Sequence, residues 1–136
     1  MAYLLDTTTL SFILNGNRAV EQKFRAAIKT DRVYASVVSE GELLAGAIRT
    51  GRQRRAELLT EIPMLLSDLG DVLQVTRKVA ASYAWIRGYL LSIGQMISMN
   101  DCWIAAVALS ENLILAASDA DFRRVPGLVL EDWLEP

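Results

Sequence analysis

Four carboxylates stand among apolar or small neighbours. Asp6 closes the apolar run 3–5, and Asp119 follows the apolar run 113–117 after only Ser118. Asp101 shares a helical stripe with Ile104, Ala105 and Ala108, while Glu42 has Val38 and Gly46 four residues away and Ala45 three residues on. Burying an uncompensated carboxylate is costly, and two like charges about 4 Å apart repel by roughly 4 kcal/mol at an effective dielectric constant near 20. Such a group calls for a shared proton or a cation. The chain has no histidine and one cysteine, Cys102, which excludes histidine-based triads and histidine-ligated zinc. The available ligands are oxygens, and they select a hard divalent cation such as Mg²⁺ or Mn²⁺. That cation suits phosphate chemistry, because it stabilises a phosphoryl oxygen and lowers the pKa of a water.

The elements that must position these acids follow from patterning. Strand-length apolar runs fall at 3–5, 33–35, 72–75, 113–117 and 128–130, and helical spacing covers 19–28, 37–48, 52–69, 79–93 and 100–110. Pro63 is expected to kink or divide the third of these helices. Strands alternating with helices imply a parallel sheet covered on both faces, so the fold class is α/β, a three-layer sandwich. Ligands of such sheets bind beyond the carboxyl ends of the strands, where Asp6 and Asp119 would both emerge. No linker or repeat divides the sequence, and residues 1–136 are read as a single domain.

Each acid also has a structural reading. Asp6 and Asp101 are good helix N-caps, with the threonines 7–9 and Asn100 as rivals. Glu40 competes with Glu42, but residues two apart on a helix face different ways, and Glu42 has the inward neighbours. Asp121 competes with Asp119, which lies nearer its strand. A phospho-acceptor domain or an aspartyl phosphatase would need a late lysine, and none follows Lys78.

The segments Tyr3-Leu4-Leu5-Asp6-Thr7-Thr8-Thr9-Leu10, Glu42-Leu43-Leu44-Ala45-Gly46, Asn100-Asp101-Cys102-Trp103-Ile104-Ala105-Ala106 and Asp119-Ala120-Asp121-Phe122, with Pro126-Gly127-Leu128 and Glu131-Asp132-Trp133, together resemble the PIN-domain ribonucleases. The resemblance is greatest to the VapC-like toxins of prokaryotic toxin–antitoxin pairs and spans nearly the whole chain. It implies a five-stranded parallel sheet between helical layers, with Asp6, Glu42, Asp101 and Asp119 as the catalytic, metal-binding acids. It also implies Mg²⁺- or Mn²⁺-dependent endoribonuclease cleavage leaving a 5′-phosphate and a 3′-hydroxyl, a homodimer, and a cognate VapB-like antitoxin lying over the acidic site. The alternative is a PIN-like scaffold that binds RNA or protein without catalysis. Two positions depart from the family pattern. Thr8 stands where Asn or Ser is frequent and keeps a hydroxyl able to orient Asp6 or a water. Ala117 stands where Thr is common, leaving Ser118 as the nearby hydroxyl. Asn100 joins these two as a supporting polar group.

An RNase must also hold phosphates. The net charge is −2, so there is no global basic field, yet the chain without its four site acids would carry +2. Arg49, Arg52, Arg54 and Arg55 cluster beyond the Glu42 helix, with Arg77, Lys78, Arg87, Arg123 and Arg124 farther on. Arg49, Arg52 and Arg123 are the candidates for RNA contact, although a solvated face is the better reading for each arginine singly. Trp85, Tyr89, Trp103 and Trp133 are read as core or interface. The longest unbroken apolar run, 102–109, is too short for a membrane span, the N-terminus lacks the pattern of a signal peptide, and one cysteine precludes an intrachain disulfide. A cytoplasmic protein is expected.

Overall fold

The structure, a computed structural model, describes residues 1–135. In chain order its elements are β1 (Ala2–Leu5), α1 (Thr7–Leu14), α2 (Arg18–Thr30), β2 (Arg32–Ser36), α3 (Val37–Ile48), α4 (Arg52–Ser67), β3 (Asp71–Leu73), α5 (Arg77–Ser92), α6 (Met99–Ser110), β4 (Ile114–Ala116), a 3-10 helix (Ala120–Arg124) and β5 (Leu130–Glu131). The five strands form one parallel sheet in the order β3-β2-β1-β4-β5. The α/β expectation therefore holds.

Alternation along the strands builds the layers. Tyr3 and Leu5 of β1 join Leu10, Phe24, Leu43, Ile62 and Trp133 in one core, while Leu4 turns to the opposite face and meets Ile86, Leu90, Ile104 and Phe122. Helices α1 to α4 thus supply the first core, and α5 and α6 the second. Within α6 the run from Ile104 to Ala108 is wholly buried, which places that helix against the sheet and fixes where its first turn ends.

Helix α1 has no counterpart among the expected helices. Its first turn is three β-branched threonines, poor helix formers, and the helix starts because Asp6 caps it, its Oδ1 accepting from the Thr9 N–H at 2.8 Å. Pro63 does not divide α4, which runs unbroken from Arg52 to Ser67. Both Pro63 and Leu59, whose carbonyl loses its partner there, are exposed, so water can satisfy that group. Among the described residues, no helix is long and apolar enough to cross a membrane.

Candidate active site

The strand order reverses between β1 and β4. The chain proceeds from β1 outward to β2 and β3, then returns to lay β4 on the other side of β1. At that switch point the Asp6 N–H donates to the Ala116 carbonyl at 3.1 Å, joining the carboxyl ends of the two strands. Asp6 is 3% exposed. Its cap to Thr9 occupies Oδ1 and leaves Oδ2 uncommitted. The structural and chemical readings of this residue are therefore compatible: one oxygen starts a helix while the other remains for a ligand.

Asp101 sits in the first turn of α6 but does not cap it. Ser98 takes that task, its hydroxyl accepting from the Asp101 N–H at 3.1 Å, and the Asp101 carboxylate is left half-buried beside the sheet edge. Asp119 follows β4 on an exposed loop and caps the 3-10 helix through Oδ1. Glu42, half-buried on α3, accepts from the Thr7 hydroxyl at Oε1, 2.6 Å, and from Asn100 Nδ2 at Oε2, 3.2 Å.

Electrostatics tie these acids together. The Asp6 carboxyl is pushed up from 3.8 to about 6, first by burial and then by the negative charges of Asp101 and Asp119, against the lowering effect of the Thr9 hydrogen bond. Asp101 is also raised, by burial and by Glu42, Asp119 and Asp121, against its bond with Ser98. No ion pair among the described residues includes Asp6, Glu42, Asp101 or Asp119, whereas Asp121 is paired with Arg124 at 3.3 Å. The competing acids thus differ: Asp121 has a cationic partner in Arg124, and Asp119 has none among the described residues. The Glu40 side chain makes no hydrogen bond or ion pair among the described residues.

This donor set suits a hard divalent cation, being all oxygen, concentrated in charge and without a basic partner. Among the described residues no three carboxylates close on one point tightly enough to enclose an ion by themselves.

The other candidates have mixed placements. Thr8 is exposed on α1, one residue beyond the threonine that reaches Glu42. The Ser118 hydroxyl donates to Asp132 Oδ1 at 2.6 Å and so anchors the C-terminal segment. Asn100 meets Glu42 as described. Arg49, which ends α3 seven residues beyond Glu42 and on the same helical face, is exposed, as are Arg52 and Arg123. Arg54 is structural: it pairs with Glu57 and Glu61 and donates to Asn15 Oδ1 at 3.1 Å, tying α4 to the end of α1. Trp133 is buried edge-on against Tyr3, Trp103 stacks on Tyr83, and Trp85 is 82% exposed. Thr7, expected only as a rival helix cap, and Ser39 carry no functional signal in the sequence, because their contacts join segments more than 30 residues apart.

A five-stranded parallel sheet between helical layers, with a carboxylate crevice at its switch point, defines a recognisable class of α/β protein. The PIN-domain family model matches residues 3–128, and the chain belongs to that family. It is similar to Ribonuclease VapC1 of Haemophilus influenzae (strain R2866), with 29% identity over 135 residues covering 98% of both proteins. Among solved structures, that of VapBC2 from Rickettsia felis bound to a DNA fragment from their promoter contains a chain matching it with a TM-score of 0.91 at 25% identity, over 98% of this chain and 99% of that one. VapBC-5 from Mycobacterium tuberculosis, described as a member of the VapBC family of toxin–antitoxin systems, matches with a TM-score of 0.72 at 30% identity, over 96% and 95% of the two chains.

Proposed function

We propose that this protein is a divalent-metal-dependent endoribonuclease and the toxin of a toxin–antitoxin pair, acting as a single PIN domain over residues 1–136. The observation that carries the reading is a buried Asp6 at the switch point, sharing its field with Asp101 and Asp119 and having no basic partner among the described residues. Similarity to a named ribonuclease supports the activity, and similarity to VapBC structures supports a VapB-like antitoxin as partner. A homodimer is part of the same proposal.

In this reading Asp6, Glu42, Asp101 and Asp119 hold Mg²⁺ or Mn²⁺. The cation, when bound, supplies charge stabilisation at the phosphoryl oxygens and a more acidic water. Asp6 and Asp119, just beyond β1 and β4, each retain an oxygen not used in capping that could meet the cation, and Glu42 and Asp101 would join them from α3 and α6. Hydrolysis joins the water oxygen to phosphorus and breaks the bond to O3′, which takes up a proton, so the products carry a 5′-phosphate and a 3′-hydroxyl. Arg49, Arg52 and Arg123 hold the flanking phosphates.

The test is cleavage of labelled structured RNA by purified protein with Mg²⁺, Mn²⁺ or EDTA, beside Asp101→Asn shown to be folded. Cleavage is expected to need the metal and to fall at least about 100-fold in the variant, since the substitution keeps the shape and removes one ligand charge. Equal cleavage by both proteins overturns the site assignment.

A further inference from the structure

Glu42 differs from the other three acids in being held by other side chains through both of its oxygens. The Thr7 hydroxyl lies 2.6 Å from Oε1 and 3.0 Å from the Ser39 hydroxyl, while Asn100 Nδ2 lies 3.2 Å from Oε2. A hydroxyl has one proton, and an ionised carboxylate can only accept. The Thr7 proton therefore goes to Glu42, and Ser39 must donate to Thr7. Ser39 is fully buried, on α3 three residues before Glu42, and its hydroxyl has no other side-chain partner than Thr7 among the described residues. The direction of the chain is thereby set: Ser39 to Thr7 to Glu42.

From this geometry we propose that Thr7 and Asn100 are positioning residues for Glu42, with Ser39 fixing the direction of the Thr7 hydroxyl; the inference rests on the metal-dependent reading above. All three donors are neutral. An arginine or lysine in their place would orient the carboxylate equally well but would cancel its charge and compete with a cation. Neutral donors fix the side chain and leave its charge available. The two groups that donate directly to Glu42 also come from the segments that carry other site acids. Thr7 follows Asp6 directly, and Asn100 precedes Asp101, so the latch sets the position of α3 relative to both junctions. Each Glu42 oxygen accepts one hydrogen bond from these donors and retains capacity for a further ligand.

The test compares Thr7→Val, which keeps the branched shape and loses the donor, with Thr7→Ser, which restores it, and with Ser39→Ala. Mn²⁺ binding is measured by titration calorimetry, alongside cleavage as a function of Mn²⁺ concentration and a thermal melt of each protein. Thr7→Val is expected to weaken Mn²⁺ binding about 10-fold or more, the range for groups that orient a ligand, and to raise the Mn²⁺ needed for half-maximal cleavage in parallel. Thr7→Ser should bind within about 2-fold of the parent, and Ser39→Ala should shift binding in the same direction as Thr7→Val but by less. In a Glu42→Gln background Thr7→Val should add nothing, because the group it orients no longer carries charge. Parent-like Mn²⁺ binding by a folded Thr7→Val overturns the latch and leaves the nuclease reading standing. A parent protein that neither binds Mn²⁺ nor cleaves RNA overturns both. Should Thr7→Val not fold, Ser39→Ala and the Glu42→Gln comparison with Asn100→Ala decide the matter by the same criteria.

Discussion

Asp6 is asked to be both a buried helix cap and a ligand, and those tasks make opposite demands on its charge. Its carboxyl, at about 6 in the fold against 3.8 ordinarily, binds a proton more tightly in the native state than in the unfolded one. Stability from that proton is fully present below about pH 4 and is lost as pH rises through 6. The span is worth up to about 3 kcal/mol. In metal-free protein, Asp6→Asn keeps the carbonyl that accepts from Thr9 and removes the charge. It should match the parent at pH 4 and exceed it by about 1–3 kcal/mol at pH 7, as read by urea unfolding at both values. Adding Mg²⁺ should narrow the pH 7 difference by stabilising the parent alone, since only the parent has the full ligand set. A variant no more stable than the parent at pH 7 would show that the Asp6 charge is already compensated within the protein. Asp6 and Asp101 were visible in the sequence because a carboxylate on an apolar stripe is costly wherever it occurs. Thr7 was not, because its value lies in a contact with Glu42 across 35 positions of chain.

At the scale of elements, periodicity located what was buried on one consistent face. Helix α3 coincides with its expected span because its apolar stripe and its cap, Ser36, agree, and α6 differs by one residue because Ser98 rather than Asn100 or Asp101 caps it. Helix α1 was illegible: its opening threonines favour strands, and only the burial of Asp6 at the sheet edge makes the cap strong enough to start it. The arginine cluster after α3 shows the same dependence on neighbours. Four similar residues divide by their contacts, with Arg54 clamping α4 to the end of α1 and Arg55 donating to the Thr50 carbonyl, while Arg49 and Arg52 remain in solvent. Arg54→Ala should therefore lower stability by about 1 kcal/mol, a shift of a few degrees in Tm. Arg49→Ala and Arg52→Ala should leave Tm within about a degree, since exposed side chains without partners contribute little. A melt of the three variants separates them, and an unchanged Tm for Arg54→Ala would return that residue to the candidates for RNA contact.

For the whole molecule the charge balance couples the acidic crevice to the basic surface. The chain carries −2 overall; in the proposed reading four of its carboxylates share one crevice, so the rest of the chain carries +2 and a cation bound there would cancel part of the crevice charge. Metal-free protein should repel RNA from its own active site, and metal should improve binding before any cleavage occurs. Asp101→Asn, in which cleavage is expected to fall at least about 100-fold, allows this to be measured with little loss of substrate. Its affinity for a short single-stranded RNA, followed by fluorescence anisotropy from 50 to 200 mM salt, should fall with a logarithmic slope set by the phosphates neutralised, about 0.7 per contact on a single strand. Adding Arg49→Ala, Arg52→Ala or Arg123→Ala should each reduce that slope by about 0.7 if the residue meets a phosphate, whereas a solvated arginine leaves it unchanged. Arg49 is the most informative of the three, because it lies on the same face of α3 as Glu42 and about 10 Å farther along. A phosphate one or two nucleotides from the scissile bond would reach it. A reduced slope for Arg49→Ala alone would run the RNA along α3, and a reduced slope for Arg123→Ala alone would run it across the end of β4 instead.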